Sequence, residues 1–214
     1  MWHRLLVPFL AVGSLLHPHH QSDPYTHMVE KVEKSVVRIT GEMTRETMFG
    51  TQQGTYTCTG EVIAVDRVLT AAHCIGQKMK TDQDEVQVVI KADKTLDLAL
   101  LATNTHQKPS MKFRQAPVVR FEVLTAIGYA YGYTELSVLL ERVFFVHSYP
   151  WGPEEDGTQT PAGIIVQGGY IGGMSGGPVV DAKGLQVSIV QRGGEFVGYG
   201  VDAETIRGFL EGVK

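Results

Sequence analysis

Ten short runs of β-branched, aliphatic and aromatic residues, each closed off by glycine, proline, aspartate or another turn former, dominate the sequence after residue 28. They fall at 35–40, 61–65, 86–90, 98–101, 123–127, 136–146, 163–166, 179–180, 185–190 and 195–197. Runs of this kind read as strands, and about ten of them with few helical stretches predict an all-β barrel or sandwich. Helical spacing recurs at 28–34 and again at 203–213, where Ile206, Phe209, Leu210 and Val213 predict a closing C-terminal helix. The segment 149–161 carries three prolines, two glycines and three acids and predicts an exposed loop. No internal repeat, low-complexity block or long linker interrupts the pattern.

Size and charge narrow the classes further. The chain has 214 residues, and at roughly 100–200 residues per domain this is one large domain or two small ones. Nineteen Lys and Arg against 23 Asp and Glu give 19 − 23 = −4, which is no footprint for a phosphate backbone, so nucleic acid is not an expected partner. No apolar run approaches the roughly 20 residues that a membrane span requires. Two cysteines are too few for a disulfide framework.

Residues 1–27 differ from the remainder. Arg4 precedes an apolar stretch from Leu5 to Leu16, followed by a polar, His-rich tail, the layout of a secretory signal and tether. Ala11 and Gly13 allow a cut after Gly13, and an uncleaved anchor is the competing reading. His17, His19 and His20 lack carboxylate or cysteine partners nearby, so the tract is expected to be a tether rather than a metal site.

Three motifs in chain order carry chemistry. Leu69-Thr-Ala-Ala-His73-Cys74 sets a histidine after two small residues; alone, such a histidine is most often structural. Thr95-Leu-Asp97-Leu-Ala-Leu-Leu101 embeds an acid in an apolar run, where a buried carboxylate needs a partner. Asp97 on the solvated face of an edge strand, or Asp93 as the meaningful acid, are the alternatives. Gly172-Gly-Met-Ser175-Gly-Gly-Pro178 holds a serine between glycine pairs, which lets backbone N–H groups converge beside its hydroxyl.

In that order and with those flanks, the chain resembles the trypsin-like, or chymotrypsin-fold, serine protease superfamily from about Ser35 to the end. The family's Thr-Ala-Ala-His-Cys, Asp-Leu-Ala-Leu and Gly-x-Ser-Gly-Gly-Pro all occur here. The resemblance implies two six-stranded antiparallel β-barrels, at about 28–115 and 116–214, with the active site in the cleft between them and a C-terminal helix. It implies Ser175 as nucleophile, His73 as general base and Asp97 as the acid that orients it, with the N–H groups of Gly173 and Ser175 as oxyanion hole. A protonated His73 could not accept the serine proton, so the implied rate rises as the imidazole loses its proton. No cofactor or metal is implied; the partner is a protein or peptide substrate, with no stable membrane insertion.

The same resemblance pairs Cys58 with Cys74, 16 positions apart, as a brace behind the histidine, in keeping with export to an oxidising compartment. Two reduced, buried cysteines in a cytosolic protein are the alternative, and two Cys with one adjacent His do not make a zinc ligand set.

Two departures indicate the branch. Met174 stands where the digestive enzymes carry the Asp that pairs with a freed amino group, and no Ile-Val-Gly-Gly start precedes Ser35. Ala126-Ile-Gly-Tyr-Ala-Tyr-Gly132 is similar to the Ala-Ile-Gly-x-Pro-x-Gly element of bacterial Deg/HtrA-type protease domains, with Ala130 in place of the proline, and Val197-Gly-Tyr-Gly-Val201 before a helix is similar to their ending. The sequence stops at Lys214, so the expectation is such a domain without a PDZ module. The resemblance places Gly169 and Tyr170 on the wall of the specificity pocket, Gln191, Arg192 and Gly193 on the strand that pairs with substrate, and Gly198 to Gly200 opposite. None of these is acidic, which disfavours Lys or Arg at the cleavage site and predicts a small or medium apolar side chain. Arg192 alternatively favours a nearby acidic residue, or is simply solvated. An inactive protease-fold binding protein and an intracellular or virion processing protease are the competing readings of the whole chain.

Overall fold

The computed structural model describes residues 23–213 apart from 49, 83, 105–107, 148–150, 154–158, 161–162 and 195. Most of the expected targeting segment, with His17, His19 and His20, therefore lies outside the described residues. The chain opens with α1 (Pro24–Val32), capped by Asp23, whose carboxylate accepts from the N–H groups of Tyr25 and Thr26. Proline at the first helical position costs no hydrogen bond, so the helix begins ahead of the expected residue 28.

Two sheets follow. The first comprises β1 (Val36–Thr47), β2 (Gly50–Ala64), β3 (Arg67–Thr70), β4 (Gln77–Thr81), β5 (Val88–Asp93) and β6 (Leu98–Ala102). The second is built from β7 (Val123–Gly128), β8 (Ser137–His147), β11 (Gly163–Gln167), β12 (Pro178–Val180), β13 (Gln186–Gly193) and β14 (Val197–Asp202). Between β8 and β11 a ribbon of β9 (Trp151–Pro153) and β10 (Gln159–Thr160) occupies part of the segment expected to be loop. The chain closes with α2 (Ala203–Leu210), capped by Asp202.

All ladders between named strands are antiparallel. The second sheet closes into a six-stranded barrel in the order β11-β14-β13-β12-β7-β8. The first runs β4-β1-β2-β3-β6-β5 and stays open between β4 and β5, where Lys80 and Glu85 form an isolated bridge and Val86 N–H donates to Met79 C=O at 3.0 Å. The two six-stranded antiparallel units expected are thus both present, one a closed barrel and the other a half-barrel.

Side-chain alternation explains how the sheets join. On β6, Ala99 and Leu101 face the interior of the first sheet with Val37, Ile39, Val62 and Val68. Leu98 and Leu100 face the other way and pack, with Leu69, against Ile189, Val201, Ile206 and Phe209 of the second barrel and α2. A strand buried on both faces must be apolar throughout, which is why the acid of this run sits just outside it. Met28, Val32 and Val36 pack on Ile127 and Val180 and tie the N-terminal helix to the second barrel. One polar pair also spans the sheets: Gln186 Nε2 donates to Glu61 Oε1, both side chains being fully buried.

Candidate active site

His73 sits in a single 3-10 turn (Ala72–Cys74) at the end of β3. The turn is fixed by Asp97, which precedes β6 with a left-handed backbone, φ 52°. Asp97 C=O accepts Ala72 N–H at 3.1 Å, Asp97 Oδ1 accepts His73 N–H at 2.9 Å, and Asp97 Oδ2 lies 2.8 Å from His73 Nδ1. Asp97 is therefore partnered, whereas Asp93 caps its own turn through the N–H groups of Thr95 and Leu96. Left-handed geometry at a non-glycine residue is strained and persists where surrounding contacts fix it; three hydrogen bonds do so here.

Ser175 lies in the turn before β12. Thr59 of β2 organises that turn: its N–H donates to Ser175 C=O at 2.8 Å, and its hydroxyl donates to Gly173 C=O at 2.8 Å while accepting Tyr129 N–H at 2.9 Å. Gly176 N–H donates to Val190 C=O at 2.7 Å and Gly177 N–H to Met174 C=O at 2.9 Å. Gly173 has φ 98°, and a methyl group there would stand 2.3 Å from Tyr129 C=O, so the turn admits only glycine. Tyr131 N–H holds Gly172 C=O at 2.6 Å. Among the described residues no protein acceptor takes the N–H of Gly173 or of Ser175. Ser175 Oγ donates to Gln191 C=O at 3.3 Å rather than to His73.

Cys58 and Cys74 form the expected disulfide, with Cα atoms 6.1 Å apart. Cys74 Sγ lies 3.7 Å from Ser175 C=O, so the bridge underlies both the histidine turn and the serine turn. The two sulfurs and a His73 nitrogen lie within 4.8 Å of one another, but bonded sulfurs offer no thiolate to a cation.

Of the residues expected around the serine, Gln191, Arg192 and Gly193 form the end of β13, paired with β14 through Arg192↔Tyr199 and Gly193↔Gly198. Gly169 and Tyr170 lead from β11 to the serine turn, and Tyr170 is buried against Gly198. None of these residues is acidic, but an acid from another strand lies behind Tyr170. Glu141 reaches Tyr170 from β8, and burial pushes its carboxyl up to about 8. It was hidden because it comes from a strand about 30 positions earlier, in a run that otherwise reads as outer and inner apolar faces. Thr59 was equally hidden, since nothing in Thr-Cys-Thr-Gly marks a buried hub.

A profile of the trypsin-like peptidase domain matches residues 58–189, more than half of the chain. No curated protein sequence matches it. Among solved structures the chain is similar to the active form of the Rv3671c protease from M. tuberculosis, with 23% identity over 86% of this chain and 82% of that one and a TM-score of 0.74. The inactive form of that protease matches with 23% identity over 86% and 90% of the two chains and a TM-score of 0.67. An HtrA-type protease, AlgW with a decapeptide, matches with 17% identity over 88% and 68% and a TM-score of 0.69. The likeness to these structures is one of fold, without a PDZ module in the described residues, and the profile match across all three motifs makes the chain a member of the trypsin-like peptidase domain family.

Proposed function

We propose that the protein is a serine endopeptidase that cuts protein or peptide substrates through an acyl-enzyme intermediate. The observation that carries this reading is the doubly bonded His73–Asp97 pair beside a serine whose turn leaves two backbone N–H groups without protein acceptors. Ser175 Oγ attacks the scissile carbonyl as His73 takes its proton; the tetrahedral oxyanion is held by the N–H groups of Gly173 and Ser175. His73 then returns the proton to the leaving amine, and water releases the acyl group by the same steps in reverse. Asp97 holds the ring in the tautomer with the proton on Nδ1, leaving Nε2 free to act as the base. Rotation of Ser175 Oγ from Gln191 C=O toward His73 precedes attack.

Gln191, Arg192 and Gly193 offer main-chain pairing to an extended substrate, with Gly169 and Tyr170 flanking its side chain. The decapeptide with which AlgW was solved supports a peptide as the ligand class. The disulfide and the signal-like start support export to a secreted or periplasmic setting, and no described helix is long and apolar enough to cross a membrane. The Ser175–Gln191 hydrogen bond favours one second reading, a catalytically weak binding protein of protease fold.

Labelling with a fluorophosphonate probe separates the two. Stoichiometric modification of Ser175, lost in Ser175→Ala, together with hydrolysis of casein supports the peptidase; an unlabelled, folded protein overturns it.

A further inference from the structure

Along β8 the side chains alternate as those of a barrel strand should: Leu139, Glu141 and Val143 point inward, and Val138, Leu140, Arg142 and Phe144 stand outside. A bulge then breaks the alternation. Val143 pairs with Val166 and Phe145 with Ile165, so Phe144 has no counterpart on β11 and Phe145 is exposed as well. The two rings meet edge to face, with centroids 4.6 Å apart. Phe121 joins them from the turn into β7. Its N–H donates to Val143 C=O at 2.8 Å, and its left-handed backbone, φ 68°, is strained for a bulky residue, yet the ring is 54% exposed.

The other end of this outer face is covered. Ile127, the cross-strand partner of Val138, is fully buried where Met28, Val32 and Val180 close over it. The cover ends there, and Leu140, two residues beyond Val138, is 63% exposed. Exposed apolar side chains scattered singly need no explanation, but a run of them on adjoining strands marks a docking surface.

Two observations identify the partner. The first is charge. Arg120 lies between aromatic rings, its guanidinium carbon 4.6 Å from the centre of Phe121 and 5.3 Å from that of Phe145, and Arg142 stands on the same face beside Val123. Arg120 donates to Phe144 C=O and Arg142 to Phe121 C=O, and among the described residues no carboxylate pairs with either. The acids next to them in sequence are engaged elsewhere: Glu122 is held by Arg114, and Glu141 is buried inside the barrel. The face is thus apolar and cationic in a chain of net charge −4.

The second is the chain ahead of α1. Met28 lies little more than one turn from the start of α1 at Pro24, so that chain enters beside the bare face. It carries the apolar stretch from Leu5 to Leu16, joined to Asp23 by residues 17–22, which reach at most about 20 Å.

We propose that the outer face of β7 and β8 docks on an anionic lipid bilayer, with Phe121, Leu140, Phe144 and Phe145 entering the boundary between headgroups and acyl chains and Arg120 and Arg142 lying among the phosphates. Rings flanked by arginines suit that boundary, where the apolar body is buried and the charge stays in the headgroup layer. The negative potential of the surface attracts each cation further. Docking of this kind is peripheral, crosses no bilayer and requires nothing of Ser175.

The test uses the full chain with sedimenting vesicles of phosphatidylglycerol in phosphatidylcholine and of phosphatidylcholine alone. Binding should be tighter to the anionic vesicles and weaken as salt is raised. Arg120→Gln with Arg142→Gln should lower partitioning onto anionic vesicles about 25-fold, at about fivefold per cation, and leave that onto neutral vesicles unchanged. Leu140→Ser with Phe144→Ser should lower both about tenfold. All four side chains are exposed, so melting temperatures should stay near the native value. Leu140→Trp separates contact of this face from binding by the N-terminal stretch. Its emission should move to shorter wavelength on anionic vesicles and be quenched by brominated acyl chains beyond what Trp2 and Trp151 give in the native protein. Equal partitioning of native and substituted chains, or a Leu140→Trp signal no greater than the native one, overturns the proposal. So does a native protein that leaves vesicles unbound and sediments as a dimer that Leu140→Ser with Phe144→Ser dissociates, since the face then belongs to a second copy of the chain.

Discussion

Asp97 holds His73 twice, once through the ring, with Oδ2 2.8 Å from Nδ1, and once through the main chain, with Oδ1 2.9 Å from the His73 N–H. One carboxylate therefore sets both the position of the turn and the orientation of the imidazole. Asp97→Asn separates these roles. Asparagine tolerates the left-handed backbone that φ 52° demands, and its carbonyl oxygen can still accept the main-chain N–H, so the fold should persist. The amide nitrogen then faces Nδ1 and imposes the wrong tautomer, a change that lowers turnover about 10⁴-fold in serine proteases with this triad. Steady-state kinetics alongside thermal melting checks this; a variant with more than a tenth of native turnover would remove Asp97 from the mechanism.

The bridge between Cys58 and Cys74 closes a 16-residue loop that contains β3 and the histidine turn. In the chain-entropy account, such a loop contributes roughly 3 kcal/mol by restricting the unfolded chain. Replacing both cysteines with serine should lower the melting temperature by about 6–12 °C, given about 2–4 °C per kcal/mol for a domain of this size. Calorimetry of the double variant reads this directly. A melting point within a degree or two of the native value would mean that the packing beneath His73 and Ser175 is set without the bridge.

Much of the fold was legible because burial imposes a period on sequence. Runs such as 98–101 and 123–127 gave strands at nearly the observed bounds, and Ile206 and Phe209 marked the face that α2 buries. The hairpin of β1 and β2 beyond the core was not legible, since residues 50–55 are exposed and polar and show no buried face to mark a strand. β3 and β4 were missed for related reasons, one being four residues long and the other largely exposed. The candidate site divides similarly. His73, Asp97 and Ser175 stood out through their flanks, but Thr59 and Glu61 act across the fold, and no local pattern marks residues whose partners lie 80 or more positions away, as Gly173 does from Thr59 and Gln186 from Glu61.

Glu61 makes stability depend on pH in a direction opposite to that of a surface carboxylate. Full burial holds its carboxyl well above the ordinary value of 4.5, the hydrogen bond from Gln186 opposing only in part. The folded state thus binds a proton that the unfolded state releases near 4.5, so the contribution is fully present below that pH and is lost as pH rises through the folded value. Glu141, raised to about 8, adds a second proton to the same slope. Stability should fall by about 1.4 kcal/mol per pH unit for each such proton between the unfolded and folded values. Glu61→Gln keeps the shape and supplies an amide donor for the otherwise unpartnered Gln186 Oε1. Urea unfolding from pH 5 to 9 should show a shallower decline in this variant and a net gain at pH 9; parallel curves for the two proteins would show that Glu61 is ionised in the folded state.

Gly172 and Gly173 are neighbours with opposite tolerance. A methyl group on Gly172 meets nothing within 4 Å, and its backbone lies outside the left-handed region. Gly173 combines φ 98° with a methyl position 2.3 Å from Tyr129 C=O and 3.2 Å from Tyr131 N, both main-chain atoms that cannot swing aside. Gly172→Ala should therefore unfold within about 0.5 kcal/mol of the native protein. Gly173→Ala must move either the serine turn or the 129–131 segment, at a cost of about 1–3 kcal/mol for the strained backbone alone. Because the shifted atom is the N–H assigned to the oxyanion, its turnover should drop by about 10²–10³-fold even at temperatures where it remains folded. Paired denaturation and peptide-hydrolysis measurements decide the matter: equal stability and equal turnover in the two alanine variants would show that the turn is not held as described.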